Sequence, residues 1–594
     1  MKSRGWVVPT LLAAGFAIWS YWPARDSWIG WGGDPLFNLW NFEVVWHNLA
    51  AREPIWQAPL FAGSSLGLAY SENQLLPALL FWPIRAVTRN GAFAMGVGAI
   101  VLSLLAFACA AGWLRSMGLR RMAWWGGLLF AGCGWLQSQY AHSQNLCVFV
   151  LPLAFWSWAA YQRDPRPLRL TACAAAFGWI AGWNLYFQIF ADLCLVFLAF
   201  KARRPAVLAL ALAVQAPFLA PYVALGHVLG GYRVSTTYGA GLFSVLGSAM
   251  RPRLLLPSFD VPLESAGYLG IVWLAFIVLS LKRRESRPWV IAAAAAFWFA
   301  LGRGYGLCDL LALLPAISGL RATGRAQVLV MLFTLPAVLG WLESLPGRQG
   351  LAAVCAAVLD LCPASPPRRI AVDPQLWGPP TPLSRELSGS RDPILVVPSA
   401  HERFMLDATQ SWTPYFGGLS GREPPGQALV QSLVRGGRIA EALESTRARQ
   451  LLLLPPDTAS GLRSMPQLQF RGCFRHLDLA EPCLFDVRQG HPASLRLDRD
   501  AHWEPVSAAK WPSADLRADR SGVVDPRQLD RCRLRERVRL LGLPVSRDLP
   551  LPTPERARYS AGETVLHVEA RQWLFRTGLA TAEFAVICDS IPGG

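Results

Sequence analysis

Long stretches of uncharged, apolar residues recur along the chain as far as residue 362. Three of them, Trp6–Trp22, Gly91–Leu114 and Ala206–Gly226, approach the roughly 20 residues that cross about 30 Å of hydrocarbon. Inside lipid every backbone N–H and C=O group must be bonded within the protein, so a spanning segment is a helix or part of a closed barrel. Barrel strands alternate apolar and polar residues, whereas these stretches are continuously apolar. The pattern therefore predicts a membrane protein built from spanning α-helices.

The composition of the chain agrees with this interpretation. Apolar residues make up 53% of the 594 positions and charged residues only 16%. Much of the net charge of +17 lies in short turns between apolar stretches, a distribution that sets orientation in a membrane. The 26 Trp and 12 Tyr suit a protein with two membrane–water interfaces. We therefore expect a lipid bilayer, and no nucleic acid, among its partners.

Basic residues mark one side of the predicted membrane. They occur as Lys2 with Arg4 and in the turns 115–121, 163–169, 201–204 and 282–287. Placing all five groups in the cytoplasm satisfies the positive-inside rule. An even number of crossings between these groups requires that one short apolar stretch, residues 74–88, is interfacial or re-entrant. The prediction is a bundle of about eleven spanning helices with a cytoplasmic N-terminus.

This topology predicts a transmembrane domain over residues 1–363 and places everything after it outside the cytoplasm. Two long outer loops result, at residues 24–90 and 227–266. Beyond residue 363 we predict an extracytoplasmic α/β domain over 364–490, followed by a β-rich module over 491–594.

Short β-like stretches and one helical stretch support the α/β prediction. The β-like stretches are residues 393–398 and 450–454, with a helical pattern over about 427–448 between them. Of the 12 Cys, eight lie in or beside apolar helices, where a thiol is a small hydrophobic group. The other four are compatible with two disulfides in any of three pairings; they are Cys473, Cys483, Cys532 and Cys588.

The first outer loop opens with a carboxylate in the sequence Gly33-Asp34-Pro35. Asp before Pro is typical of a helix start, and the following residues would then form an interfacial helix whose Trp side chains face lipid. In the alternative interpretation, Asp34 lies at the outer membrane surface and acts as a general base or binds a metal. His47, on the same helix, is a second candidate for the site.

Four Arg residues fall on the predicted outer side, against the positive-inside trend. They are Arg321 and Arg325, before a spanning stretch, and Arg251 and Arg253, in the second outer loop. The planar guanidinium group of Arg binds phosphate through two hydrogen bonds. The alternative is that these side chains extend to lipid headgroups.

Polar residues near two other apolar stretches are further candidates. His142 lies in a predicted outer turn among amide side chains, where it binds substrate or is a hydrogen-bonded structural group. Asn184 and Asp192 fall in or near one apolar helix. A carboxylate inside a membrane is costly and indicates function by default, although Asp192 could instead bond a neighbouring helix.

Five stretches, in this order along the chain, resemble bacterial polytopic proteins of the GT-C membrane glycosyltransferase superfamily. The resemblance covers roughly residues 20–460. The stretches are Gly33-Asp34-Pro35 with Trp40 and His47, Leu68-Ala69-Tyr70-Ser71-Glu72, Gln139-Tyr140-Ala141-His142-Ser143-Gln144, Asn184-Leu185-Tyr186-Phe187, and Ser318-Gly319-Leu320-Arg321-Ala322-Thr323-Gly324-Arg325.

The resemblance implies a location in the bacterial cytoplasmic membrane and a reaction. In that superfamily an acidic residue of the first outer loop is catalytic or binds a metal, and the sugar donor is usually a polyprenyl phosphate. Asp34 matches this position, Glu72 is a second acidic candidate, and Tyr186 and Asn184 are candidates for substrate binding. No acidic pair stands at Asp34, so a divalent metal is left open and the cofactor is unknown.

The leading hypothesis is a glycosyltransferase that moves a sugar from a polyprenyl-phosphate donor to a glycan, lipid or protein acceptor outside the cytoplasm. One alternative is a transporter or flippase of lipid-linked glycans, although transporters often contain inverted repeats and we detect no internal repeat. The other alternative is a non-catalytic membrane scaffold with the same fold.

Overall fold

The computed structural model describes most of residues 5–487 and, of the remainder, only strands between residues 513 and 588. The positions outside the description are 1–4, 31, 32, 73, 140, 141, 229–237, 249–258, 261–265, 303, 306, 312, 313, 315–319, 364, 389, 391, 398–401, 418–429, 432, 435–438, 447, 455–467, 475–481, 488–512, 518–531, 541, 542, 551–556, 561, 562, 570–579 and 589–594.

Helices dominate the chain up to residue 361. In order they are α1 (Val7–Tyr21), α2 (Asp34–Ala51), α3 (Leu60–Gly63), α4 (Leu75–Thr88), α5 (Gly91–Ser116), α6 (Ala123–Ala131), α7 (Gly134–Ser138), α8 (Val150–Arg163), α9 (Pro167–Gly178), α10 (Leu185–Ala202), α11 (Pro205–Val228), α12 (Ile271–Ser280), α13 (Arg287–Ala300), α14 (Leu307–Leu311), α15 (Gln327–Ser344) and α16 (Gly347–Leu361). Short 3₁₀ turns that matter below are Ser143–Cys147 and Thr323–Ala326.

Several of these helices match the hydrocarbon thickness. Four described segments are long and apolar enough to cross a membrane by length and composition, namely Gly91–Ser116, Leu185–Ala202, Pro205–Leu225 and Thr323–Ser344. Four shorter apolar helices accompany them, namely Val7–Tyr21, Leu75–Thr88, Ile271–Ser280 and Arg287–Ala300. The protein is a multi-pass membrane protein, and the figure of eleven spans stays a prediction.

Helix α15 lies at the centre of the membrane unit, whereas α10 and α11 lie at its periphery. Nearly every residue from Gln327 to Leu339 of α15 is buried. A hydrogen bond from Trp273 Nε1 to Thr334 Oγ1 (3.0 Å) ties α12 to it. Exposed apolar side chains such as Phe197 and Leu212 instead line α10 and α11, as expected of helices that face lipid.

The C-terminal end of α15 meets the turn 115–121, one of those that the sequence places in the cytoplasm. The carboxylate of Glu343 accepts hydrogen bonds from the backbone N–H groups of Arg121 and Met122, at the start of α6. In return, the Arg121 guanidinium donates to the carbonyls of Leu342, Glu343 and Leu345. An anion at a helix N-terminus and a cation at a C-terminus are both stabilising, so the two side chains cap each other's helices.

The sequence interpretation of α2 as an interfacial helix with Trp facing lipid is wrong. Trp40 and Trp46 are almost fully buried. The indole N–H of Trp46 donates to the carbonyl of Ala78 in α4, and the Phe42 ring packs at a tilt against Phe81 of the same helix. These rings pack against α4, so α2 lies in the protein interior.

Strands are concentrated beyond residue 368. They are β4 (Arg369–Ala371), which pairs with β1 (Ser27–Ile29), and then β5 (Ile394–Val397), β6 (Tyr415–Phe416), β7 (Gln450–Leu453), β8 (Leu468–Cys473) and β9 (Cys483–Val487). Two dipeptide strands, β2 (Gly247–Ser248) and β3 (Phe259–Asp260), precede β4 and pair in parallel. The helices of this part are α17 (Pro382–Leu387), α18 (Glu402–Asp407) and α19 (Ile439–Thr446).

Five of these strands form one mixed sheet in the order β6-β5-β7-β9-β8. The stretches predicted as β-like at 393–398 and 450–454 are its parallel neighbours β5 and β7. Helix α19 packs on the sheet through Ile439, Ala442 and Leu443. A disulfide joins Cys473 of β8 to Cys483 of β9, which selects one of the three cysteine pairings.

Two three-stranded sheets follow, in the orders β10-β14-β13 and β12-β11-β15. Their strands are β10 (Ser513–Arg517), β11 (Cys532–Leu540), β12 (Leu543–Pro550), β13 (Ala557–Ser560), β14 (Glu563–Glu569) and β15 (Ala580–Cys588). The antiparallel register sets Cys532 of β11 opposite Cys588 of β15.

The chain divides into two compact units, each built from several segments. One contains Met1–His47, Glu72–Ala220 and Arg233–Pro374, and the other contains Asn48–Ser71, Pro221–Tyr232 and Gln375–Gly594. All candidate site residues discussed below belong to the first unit. The limits at residues 363 and 490 stay predictions.

Candidate active site

Helix α2 begins at Asp34, and the Asp34 carboxylate is held by a single imidazole. Asp34 Oδ2 lies 3.0 Å from His142 Nε2. The aspartate side chain is about half exposed, at 52%, whereas the His142 side chain is only 9% exposed. His142 immediately precedes the turn Ser143–Cys147, and its carbonyl accepts from Asn145 N (2.8 Å). A buried histidine in an ordered turn therefore orients an accessible carboxylate.

Charge around Asp34 decides its protonation. Partial burial raises the pKa of the Asp34 carboxyl, but the hydrogen bond to His142 and the charges of His142, Arg325 and Arg321 lower the pKa more, so it lies below its usual value. The group is therefore ionised at neutral pH and can accept a proton. Arg325 and Arg321 are thus close enough to Asp34 to lower its pKa.

The second acidic candidate, Glu72, has a different environment. Glu72 Oε2 lies 3.0 Å from Arg325 Nη1, and the side chains are only 13% and 4% exposed. The same oxygen accepts from Gln144 Nε2 at 2.8 Å. The backbone carbonyl of Glu72 accepts from Asn41 Nδ2 (3.4 Å). Glu72 therefore connects α2, the turn after His142 and the segment before α15.

Arg325 is fixed on its other side by Tyr186. Its guanidinium carbon lies 4.3 Å from the centre of the Tyr186 ring, a cation–π contact. The Tyr186 hydroxyl accepts a hydrogen bond from the backbone N–H of Ala322 at 3.3 Å. Arg325 is thus a buried, fully engaged cation whose position depends on the start of α10.

Asn184 caps α10 and holds the same turn that carries His142. Its Oδ1 accepts from Phe187 N (3.0 Å), as an N-cap side chain does. Its Nδ2 donates to the carbonyl of Gln144 at 3.1 Å and to Asn145 Oδ1 at 3.0 Å. Because Asn184 is fully buried, it acts on the turn and does not face solvent.

Arg321 differs from Arg325 in being partly exposed. Its guanidinium carbon lies 5.6 Å from the centre of the Tyr238 ring. Within the described part of the chain, no carboxylate lies within ion-pair distance of Arg321. The Gly324 N–H donates to the Tyr238 carbonyl at 3.1 Å, so the tyrosine and the arginine-bearing turn are held together. The guanidinium charge of Arg321 is therefore available to bind a ligand.

The other predicted site residues lie apart from this group or outside the description. His47 is 13 positions after Asp34 in the same helix, which corresponds to about 20 Å along the helix axis. Arg251 and Arg253 fall in residues that the structure does not describe.

A network of buried amides beneath the site was not singled out from the sequence. Ser143 Oγ donates to Gln74 Oε1 at 2.7 Å, Gln74 in turn donates to Asn38 Oδ1, and Asn145 donates to Gln139 Oε1 at 2.8 Å. The available signal was the spacing of Asn38 and Asn41, which puts two amides on one face of an otherwise apolar helix. The network holds α2, α4 and the His142 turn in register.

The described side chains around Asp34 do not form a zinc-type site. Catalytic zinc sites use three protein ligands. In the described residues no group of three His, Cys, Asp or Glu side chains converges. Glu72 is turned toward Arg325 and Gln144, which leaves Asp34 and His142 as a pair in direct contact.

The architecture matches solved membrane enzymes, although the sequence matches no protein-family model and no curated protein sequence. Two structures of the arabinofuranosyltransferase AftD from mycobacteria align with TM-scores of 0.52 and 0.55 at 14% identity. They cover 84% and 82% of this chain, but only 41% and 42% of AftD. The fold is that of the GT-C glycosyltransferases.

Another GT-C structure aligns with a lower TM-score. The oligosaccharyltransferase AglB from Archaeoglobus fulgidus, solved with an inhibitory peptide and a dolichol-phosphate, gives a TM-score of 0.48 at 12% identity, covering 77% of this chain and 70% of AglB. The fold assignment rests on AftD, of which this chain spans about two fifths. The predicted GT-C resemblance is confirmed at the level of fold.

Proposed function

We propose that this GT-C protein is a membrane glycosyltransferase that moves a sugar from a polyprenyl-phosphate donor to an acceptor hydroxyl outside the cytoplasm. The observation that carries the proposal is the half-exposed, ionised Asp34 held by buried His142. The partly exposed Arg321 on the same side supplies an available positive charge. A base and a phosphate-binding cation are the two groups that such a transfer needs.

In this proposal Asp34 is the general base. The carboxylate takes the proton from the acceptor hydroxyl as the acceptor oxygen forms a bond to the anomeric carbon of the donor sugar. His142, whose Nε2 lies 3.0 Å from Asp34 Oδ2, fixes the rotation of the carboxylate and leaves Oδ1 for the acceptor. His142 is therefore a positioning residue.

The bond that breaks joins the anomeric carbon to the phosphate oxygen of the donor, and polyprenyl phosphate leaves with the bonding electrons. Arg321 binds the phosphate and stabilises the charge that develops on it. Arg325 is paired with Glu72 and stacked on Tyr186, so we assign it a positioning role. Glu72, predicted as catalytic, is likewise assigned to positioning.

We place the site on the outer side of the bacterial cytoplasmic membrane, with the N-terminus inside and the C-terminal strands outside. Two basic turns support this orientation, because Arg121 and Arg283 bind carbonyls near the C-terminal end of α15. The Asp34–His142 and Glu72–Arg325 pairs gather at the other end of the span Thr323–Ser344. One membrane-spanning length therefore separates the basic turns from the site.

The decisive experiment is turnover by the purified full chain in detergent or nanodiscs. The probe is a panel of synthetic short-chain polyprenyl-phosphate pentoses and hexoses, with water taking the place of the acceptor hydroxyl, and the readout is released polyprenyl phosphate. We expect release from at least one donor by the native protein and loss of release in Asp34→Asn. Asp26→Asn is the matched control, because Asp26 is an exposed aspartate eight residues earlier in the same loop.

The remaining hypotheses give different results in the same assay. A flippase would move a fluorescent polyprenyl-phosphate sugar across proteoliposomes with no release of phosphate, and Asp34→Asn would leave that movement intact. A scaffold would retain donor lipid without release or movement. Either result contradicts the proposed transfer reaction.

A further inference from the structure

The carboxylate of Asp192 lies within the spanning helix α10, outside the proposed active site. Asp192 is the eighth residue of that helix, about 10 Å along the axis from its first residue. In the described residues no Arg, Lys or His side chain forms an ion pair with it. A charge at this depth requires a compensating charge or an explanation.

Two buried glutamine amides contact this carboxylate, one from α10 itself and one from the neighbouring helix α11. Gln188 Nε2, one turn earlier in α10, donates to Asp192 Oδ1 at 2.8 Å. Gln215 Nε2, from α11, approaches the same oxygen at 3.5 Å. Both glutamines are only 1% exposed. Both donors therefore meet one carboxylate oxygen, and Oδ2 receives neither.

The amide oxygens of the same two glutamines are buried without a hydrogen-bond partner in the described structure. Exchanging the amide O and N atoms would not solve this, because it would turn an oxygen toward the carboxylate and a donor toward nothing. Buried acceptors without donors are rare in folded proteins and are commonly satisfied by a bound water or ion.

A second carboxylate in the same unit shows what a completed site looks like. Asp360 in α16 accepts from the Tyr268 hydroxyl at Oδ1 (2.7 Å) and from Val272 N at Oδ2 (2.8 Å). Each oxygen of Asp360 accepts one hydrogen bond, and the carboxylate lies at the positive N-terminal end of α12. Asp192 has no such arrangement, because both of its donors meet Oδ1.

We propose that Asp192, Gln188 and Gln215 form an intramembrane binding site for a monovalent cation, with Na⁺ as the probe. Asp192 Oδ2 and the two amide oxygens supply three oxygen ligands, which hard cations prefer. One positive charge cancels the one carboxylate charge, whereas a divalent ion would leave a net charge in lipid. The ion would join α10 to α11.

This site lies one helical turn from Asn184, which borders the proposed active site. Gln188 N donates to the carbonyl of Asn184 at 3.0 Å, and Asn184 in turn donates to the Gln144 carbonyl in the turn Ser143–Cys147. A cation bound there would tie α10 to α11 one turn after the helix start that carries Tyr186 and Asn184. Cation binding does not depend on the transfer reaction, so the test uses stability and not turnover.

Thermal unfolding of the purified full chain in detergent tests the proposal at constant ionic strength, with NaCl replacing choline chloride. We expect the Tm to rise saturably with Na⁺, by about 2 °C or more, with LiCl and KCl giving the selectivity. The rise should disappear in Asp192→Asn and weaken in Gln188→Met, which keeps the carboxylate.

Asp164→Asn is the matched control, because Asp164 is a carboxylate in a basic turn with salt bridges to Arg166 and Arg169. It should keep the full Na⁺ response. Equal Tm values in Na⁺ and choline for the native protein, or a Na⁺ response that survives in Asp192→Asn, would overturn the site. Failure of the glycosyltransferase assay would leave this result unaffected.

Discussion

Asp34 and Glu72 come from the same predicted outer loop and have the same charge, yet they differ in exposure and in the residues they contact. Asp34 is half exposed and touches one buried histidine. Glu72 is almost enclosed, with its charge matched by Arg325 and an added hydrogen bond from Gln144. An accessible anion is available for chemistry, whereas a buried and paired anion is committed to structure.

The comparison also separates the two arginines before α15. Arg325 forms an ion pair with Glu72, and its guanidinium group lies over the Tyr186 ring. Arg321, four residues earlier, contacts only an aromatic ring among the contacts that the structure describes. The site therefore has a reactive half, Asp34 with Arg321, and a supporting half, Glu72 with Arg325.

The largest expected effect belongs to Asp34. Asp34→Asn keeps the size of the side chain and removes the base, so we expect turnover to fall by about 10²–10⁴-fold in a protein that still folds and has a somewhat lower Tm. The measurement is release of polyprenyl phosphate together with thermal unfolding. If Asp34→Asn kept its activity, or lost it only because it unfolded, the reactive half would be misassigned.

Glu72 should show the opposite pattern. Glu72→Gln leaves the buried Arg325 without its counter-charge, so we expect a loss of stability of about 3 kcal/mol, measured by denaturant or thermal unfolding. The double variant Glu72→Gln/Arg325→Met removes both charges and should recover much of that stability. Stability equal to the native protein in the single variant would show that Glu72 is not a supporting residue.

Arg321 should affect donor use more than folding. A hydrogen bond between charged groups contributes about 1.5–3 kcal/mol, so Arg321→Gln should lower kcat/KM for the polyprenyl-phosphate donor by roughly 10–100-fold. Arg115→Gln is the matched control, since Arg115 also lies over an aromatic ring, Trp124, at 5.6 Å but in a predicted cytoplasmic turn. Equal effects of the two substitutions would argue against phosphate binding by Arg321.

The smallest expected effect is a shift of a pH profile. Because Asp34 must be ionised to act, turnover should fall as the pH drops through its lowered pKa. His142→Leu removes two of the effects that lower this pKa and leaves partial burial, which raises it, so the acid limb should move to higher pH. An unmoved acid limb in His142→Leu would contradict the role of His142.

The same pKa shift has a consequence for stability. A carboxyl whose pKa is lower in the folded protein stabilises the fold above its unfolded pKa of about 3.9. That contribution is lost as the pH falls through the folded pKa. Thermal unfolding of native protein and Asp34→Asn should therefore converge at strongly acidic pH.

The sequence by itself determined the membrane class, the polar turns and the identity of the candidate groups. Uncharged stretches such as Gly91–Leu114 predict spanning helices because lipid leaves the backbone no other way to form hydrogen bonds, and the structure places one long helix there. The β-like stretch at 450–454 likewise became strand β7. These features depend on local composition and period, which a single sequence displays.

Only the tertiary structure decided which groups meet. Asp34 and His142 are more than a hundred residues apart, and Glu72 and Arg325 are 253 apart, so no spacing rule relates them. It was also the packing against α4 that buried Trp40 and Trp46, where the sequence suggested a lipid-facing helix. Exposure and charge pairing depend on neighbours from distant segments, and those two properties separate the proposed base from the supporting carboxylate.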